Sequence, residues 1–264
     1  MALQEELKQQ GDFLFRYRSY LPLGLLIIGL SIKIYQERFI GEANVTMISE
    51  TLESTSMAFG LLGLFLVVKF IHKQTFLSLT TSRSKIDLDR LATSFICISL
   101  ITFVNTAINY FIFPEDFIVN FDLSSFIILF FIAVVFIPIQ TSMEEYMFRG
   151  YLMQGFGTWF KKSFVALILT SVIFGLLHGL NPEVEKLGWI SMVYYIGTGL
   201  VLGIFTLMDE GTELSLGFHA ANNIVAAVLV TANWTVFQTD ALLIDTSEPS
   251  VGWEMFMPVL VLYP

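Results

Sequence analysis

LSSFIILFFIAVVFIPIQTSM, residues 123–143, contains no Asp, Glu, Lys or Arg, and EEYMFR follows it directly at 144–149. About 20 apolar residues cross the hydrocarbon core of a bilayer. Four more windows of that order, 91–114, 163–182, 187–208 and 214–239, are equally free of charge. The whole 264-residue chain is 55% hydrophobic and 14% charged, with 26 Phe. A soluble domain carries about 45–50% apolar and about 25% charged residues. The mean hydropathy of +0.71 agrees. A soluble globule, a disordered chain and a secreted disulfide scaffold are excluded, and the pattern predicts an all-α, polytopic transmembrane helical bundle.

Seven spans are expected, near 20–35, 57–72, 92–113, 123–142, 163–180, 188–208 and 214–232. The apolar run Met255–Pro264 is too short to cross a bilayer. It reads as a short interfacial ending or the start of an eighth helix. Residues 1–264 are taken as a single integral membrane domain, with neither a repeat nor a soluble module. The N-terminal stretch mixes acids and bases and has no small-residue cleavage site, so it is not a signal peptide. Lys8, Arg16 and Arg18 precede the first span, Lys73, Arg83, Lys85 and Arg90 follow the second, and Arg149, Lys161 and Lys162 follow the fourth. The alternate loops are acidic, with Glu115, Asp116 and Asp122 unopposed. The positive-inside rule then places the N-terminus in the cytoplasm.

Fourteen basic against 23 acidic residues give a net charge of −9. No basic run is dense enough for nucleic acid. The single Cys97 excludes an intrachain disulfide. Asn44-Val45-Thr46 and Asn233-Trp234-Thr235 match the glycosylation sequon on expected outer loops, a pattern that chance often produces.

Ionisable groups inside a membrane are expensive and mark function by default. Few are present. Glu144, Glu145 and Arg149 close the fourth span, His178 lies in the fifth, and His219 with Asn222 and Asn223 in the seventh. Residues four apart share a helix face. Glu145 and Arg149 can therefore pair, which leaves Glu144 turned elsewhere, towards a cavity. His219 shares a face with Asn223, and Phe174 with His178. Together they suit water activation or metal binding. Singly each has a plainer reading: an interfacial helix start, a C-terminal capping histidine, an interhelical hydrogen bond. His72, beside Lys73 at a span end, reads as interfacial. Gly175-xxx-Gly179 and Gly199-xxx-Gly203 read as close helix packing.

On these residues the sequence resembles the CPBP intramembrane proteases, which include the type II CAAX prenyl endopeptidases and bacteriocin-processing or immunity proteins. The family pattern EExxxR, FxxxH and HxxxN appears as Glu144–Arg149, Phe174–His178 and His219–Asn223, in the family's order. The resemblance covers roughly residues 125–235, which would be the catalytic core helices. It implies an intramembrane endopeptidase in which Glu144 and His178 activate water, His219 and Asn223 serve as the oxyanion or ligand pair, and Glu145 and Arg149 support them. Glu144, His178 and His219 also match a catalytic zinc set with one open position, although no HExxH is present and one Glu cannot easily be both ligand and base. Zinc and a metal-free glutamate mechanism both stay open. The implied partners are the lipid bilayer and a membrane-associated peptide or protein substrate, prenylated if the CAAX type applies. The implied location is a multi-pass protein of a bacterial cell membrane. A non-catalytic scaffold or bacteriocin-immunity protein of the same fold is the rival, and a proton- or ion-relaying transporter the third reading.

Depth poses a problem for this site. Glu144 and His219 fall near the inner ends of their spans, whereas His178 lies about 23 Å up the fifth span at 1.5 Å per residue. The three cannot meet if all spans are straight and begin at the surface; one way out is a fourth span that runs on past Pro138 to about Trp159 as a long tilted or kinked helix, with the fifth span starting deeper.

Overall fold

The computed structural model describes residues 16, 17, 19–25 and 46–251. Most of the expected first span, the Asn44 sequon and the run from Met255 lie outside the described residues.

Helix α1, Thr46–Leu66, continues through a π turn at Val67–Ile71. The short α2, Phe76–Thr80, is followed by α3, Leu88–Ile112, and α4, Leu123–Glu145. Their starts are written locally. Thr75, Asp87 and Asp122 each accept backbone N–H groups of the first turn through their side chains, the usual work of an N-cap. A π turn, Tyr146–Leu152, then leads into α5, Met153–Phe160. Beyond it come α6, Ser163–Leu177, α7, Pro182–Leu187, α8, Met192–Met208, and α9, Glu213–Leu229.

Among the described residues four helical stretches are long and apolar enough to cross a membrane: Leu88–Ile112, Leu123–Phe160, Ser163–Leu180 and Trp189–Met208. They correspond to the expected third to sixth spans. The expected count of seven or eight is therefore met only in part. The second span falls on the apolar part of α1 and its π turn, Ser56–Ile71. The seventh, α9, is 17 residues long and starts on an acid. It lies against α3, α4 and α8 and is buried from Ser215 to Ala221, so protein rather than lipid surrounds much of it. The lipid-facing character falls instead on α3 and α4, where Phe103, Phe111, Ile128 and Phe131 are exposed. The chain is an integral membrane protein.

Packing directions follow from named contacts. Ser94 Oγ donates to the Leu214 carbonyl at 2.6 Å near the starts of both α3 and α9, so these helices run parallel. A Cβ on Gly217 would overlap the Leu91 carbonyl oxygen and stand 3.0 Å from the Phe95 nitrogen. Only glycine permits this backbone contact. Helices α6 and α8 are antiparallel and also pack closely: a Cβ on Gly199 would meet Ser171 backbone atoms at 3.1 Å. The Gly199–Gly203 spacing thus does serve close packing. Gly175 likewise abuts Ile196, while Gly179 has ordinary room beside Trp189.

The fold is not wholly α-helical. After α9 the chain forms β2, Val230–Thr231, and β3, Leu243–Asp245, which join β1, Phe117–Val119, in a sheet of order β1-β3-β2. β1 pairs antiparallel with β3 (Ile118 opposite Ile244) and β2 parallel to it. The sheet and α7 gather at one end of the bundle. At the other end, Thr81 bridges Gly211, and Arg83 holds Asp209 at 3.0 Å and Glu213 at 3.5 Å.

Candidate active site

Fifteen residues of helix beyond Glu145 decide the site's geometry. The fourth span does not stop at Ser142. It passes Pro138, turns through Tyr146–Leu152 and ends at Phe160, where Lys161 takes a left-handed conformation (φ 55°) and the chain reverses into α6. Arg149 precedes Phe160 by as many residues as Phe174 follows Ser163, so the two stand level across the hairpin. The Arg149 guanidinium lies over the Phe174 ring, 4.4 Å from its centroid. His178 is then one helical turn further on, capping the end of α6, on the side of Glu144 and His219. The depth problem disappears because the hairpin extends past the site.

Glu145 is fully buried. Its Oε1 accepts from Arg149 Nη1 at 3.0 Å, the pair expected from the spacing, and also from His219 Nδ1 at 2.7 Å. The second partner differs from the expected pairing of His219 with Asn223. Arg149 completes its shell by donating Nη2 to the Gly199 carbonyl at 3.1 Å. An isolated buried charge would be prohibitive. Here the cation meets a carboxylate, a carbonyl and an aromatic face.

Glu144 behaves differently. Its side chain is 15% exposed, and Oε2 lies 3.9 Å from His219 Nε2, too far for a hydrogen bond. That oxygen is buried without a hydrogen-bond partner. Because Glu145 holds Nδ1, His219 presents Nε2 towards Glu144. His178 directs Nδ1 to its own helix, 2.8 Å from the Phe174 carbonyl. A carbonyl can only accept, so Nδ1 carries the proton and Nε2 is left as an acceptor. Tyr195 stacks on the His178 ring at 4.6 Å and 21°. Asn223 accepts from Asn222 through Oδ1 at 3.1 Å, which leaves its amide nitrogen as a donor.

Glu144, His178, His219 and Asn223 all line one cavity of about 560 Å³. Its apolar wall comes from α4, through Leu129, Ala133 and Ile137, and Thr235–Phe237 border its far end. Among the described residues no three His, Cys, Asp or Glu side chains come together closely enough to hold an ion; with Nδ1 of each site histidine anchored on a carbonyl or a carboxylate, Nε2 of each stays open.

Some of the surroundings escaped sequence reading. Tyr195 gives no signal in an apolar helix, and Glu183 looks like an ordinary loop charge. His72 is buried rather than interfacial: its Nε2 lies 2.8 Å from the Tyr151 hydroxyl and its ring 4.4 Å from Tyr17. A histidine next to a lysine at a span end shows nothing of the tyrosines that fold over it.

Residues 123–225 match a family described as type II CAAX prenyl endopeptidase Rce1-like. The chain is also 32% identical over 204 residues to the uncharacterized protein YyaK of Bacillus subtilis (strain 168), a match that spans 77% of this chain and 68% of that protein. No solved structure matches significantly. Glu144, Glu145, Arg149, His178, His219 and Asn223 all fall inside the family match.

Proposed function

This chain belongs to the type II CAAX prenyl endopeptidase (CPBP) family, and on that premise we propose that it hydrolyses peptide bonds of membrane-associated substrates with water activated at Glu144. The observation that carries the reading is the buried Glu144 Oε2, without a hydrogen-bond partner in a cavity shared with His178 and His219. A scaffold gains nothing from such a group, and leaving it unmatched costs on the order of 1–3 kcal/mol. A base awaiting a water proton needs it free.

In this mechanism Glu144 and His178 Nε2 orient the water. Its oxygen attacks the scissile carbonyl carbon while its proton passes to the Glu144 carboxylate. His219, held at Nδ1 by Glu145, stabilises the developing oxyanion from Nε2 as an imidazolium, and the Asn223 amide donates beside it. The C–N bond then breaks, the amine nitrogen takes the proton from Glu144, and a carboxylic acid, which keeps the water's second proton, and an amine leave. Glu145 and Arg149 touch neither substrate nor water; they fix His219. The catalytic core is the helices of residues 125–235. The N-terminus is cytoplasmic, and the membrane is that of a bacterial cell.

The test uses purified protein in lipid nanodiscs with a farnesylated CAAX-type peptide and its unprenylated analogue, products being read by mass spectrometry. Wild-type protein cleaves at least one of them. Glu144→Ala and His178→Ala abolish cleavage with the fold retained. Full activity in either variant refutes the mechanism. The ratio of the two peptides decides whether prenylation is required.

A further inference from the structure

His178 stands where its own helix does little to aim it. It caps the end of α6 and opens a short 3-10 turn, His178–Leu180. Its chain neighbours Leu177 and Leu180 are exposed, so they give the ring little support. The bond from Nδ1 to the Phe174 carbonyl settles the tautomer. One hydrogen bond fixes a point, however, and leaves the imidazole plane free to swing about it. Two aromatic rings border that plane. Phe174 lies 4.6 Å from it, tilted by 46°. Tyr195 lies 4.6 Å from it at 21°, much nearer to parallel.

Tyr195 reaches the histidine from α8. A Cβ on Gly175 would stand 3.0 Å from the Ile196 nitrogen, so α8 lies backbone to backbone against α6 one helical turn before His178. Tyr195, next to Ile196, is thereby brought beside the imidazole. Its phenol is held at the far end as well. The hydroxyl accepts from Asn181 Nδ2 at 3.2 Å and donates to the Glu183 carboxylate. Asn181 is the N-cap of α7 and Glu183 lies in its first turn. Glu183 in turn accepts the Val236 backbone N–H at 2.7 Å. The ring therefore has one face on His178 and its hydroxyl clamped by α7. We propose that Tyr195 is a positioning residue for His178, its clamped ring holding the imidazole plane so that Nε2 stays aimed at the water beside Glu144. The inference rests on the peptidase reading of this cavity. Aim matters steeply, since a misplacement of about 1 Å at a reacting group costs on the order of 100-fold in rate. Leucine at 195 removes the flat face and the clamp together. Phenylalanine keeps the face and loses only the clamp, so its effect is smaller.

Kinetics and NMR on the full-length protein in nanodiscs test this together. The chain has three histidines, so isotope-labelled histidine gives few imidazole signals, and His178→Gln identifies the one that belongs to His178. In Tyr195→Leu that signal moves downfield as the ring current of the stacked phenol is lost, while the signals of His72 and His219 stay in place and show the fold retained. In the same variant kcat for the CAAX-type peptide falls by roughly 10- to 100-fold, with KM little changed. Tyr195→Phe moves the signal less and loses less of kcat. Wild-type kcat in Tyr195→Leu, a fall in kcat with the His178 signal unmoved, or a rise in KM with kcat held overturns the assignment and leaves the peptidase reading standing. If wild-type protein cleaves no peptide, the peptidase reading fails and this one fails with it.

Discussion

Replacing Arg149 by Met tests the support beneath His219. The wild-type guanidinium makes a 3.0 Å bond to Glu145, a 3.1 Å bond to the Gly199 carbonyl and a 4.4 Å contact with the face of Phe174. Methionine fills much of the volume and makes none of the polar contacts. Glu145, fully buried and already lacking a partner at Oε2, is left with His219 Nδ1. Breaking a buried ion pair from one side costs about 3–5 kcal/mol, a large share of the roughly 5–15 kcal/mol that holds a domain folded. At about 2–4 °C per kcal/mol for a chain of this size, Tm falls by roughly 6–20 °C. The double variant Arg149→Met with Glu145→Gln removes both charges and recovers part of that loss, because no uncompensated ion remains. Arg149→Lys falls between, since a single ammonium cannot serve Glu145, Gly199 and the ring at once. Thermal unfolding of detergent-solubilised protein gives the four values. A single variant as stable as wild type, or a double variant less stable than the single, would refute the reasoning.

Gly217→Val forces α9 away from the Leu91 carbonyl of α3 and destabilises by about 1–3 kcal/mol or more; an unchanged Tm would mean the two backbones are not in contact. Asp122 caps α4, and the Ser125 N–H bonded to its carboxylate holds its pKa below the ordinary value. That stabilisation is complete above the unfolded value near 4 and is lost as pH falls through the lowered folded value. The Tm difference between wild type and Asp122→Ala therefore narrows below about pH 4, and a difference independent of pH would contradict the assignment. Elemental analysis of active protein finds substoichiometric zinc if the donors stay as far apart as described; stoichiometric zinc whose removal by chelation abolishes cleavage would show that they converge.

Much of this was legible because polar residues are scarce. In a chain this apolar, each long charge-free window had one plausible use, and the third to sixth spans lie close to where those windows end. The same scarcity made Glu144, Glu145, Arg149, His178, His219 and Asn223 stand out, and all of them except Arg149 and Glu145 line the cavity directly. The continuation of the fourth span, which ends at Phe160, could be read only as one way for His178 to meet the others. Its π turn left no local signature, since π geometry arises where packing demands an extra residue. The small sheet was missed because strands of two and three residues carry too little periodicity to register. Division of labour between the adjacent glutamates was half visible: helical spacing paired Glu145 with Arg149, but the bond from His219 to Glu145 joins residues 74 apart in sequence. Glu183 and Tyr195 act across the fold and have no local mark.

The central claim is that two neighbouring glutamates do different work, Glu144 in the reaction and Glu145 in the scaffold. Cleavage rate and Tm measured side by side for Glu144→Gln and Glu145→Gln test it most directly. Glu144→Gln should retain the wild-type Tm and lose cleavage, whereas Glu145→Gln should lower Tm by weakening its bonds to Arg149 and His219. Full turnover by Glu144→Gln, or a loss of stability confined to that variant, would contradict the account.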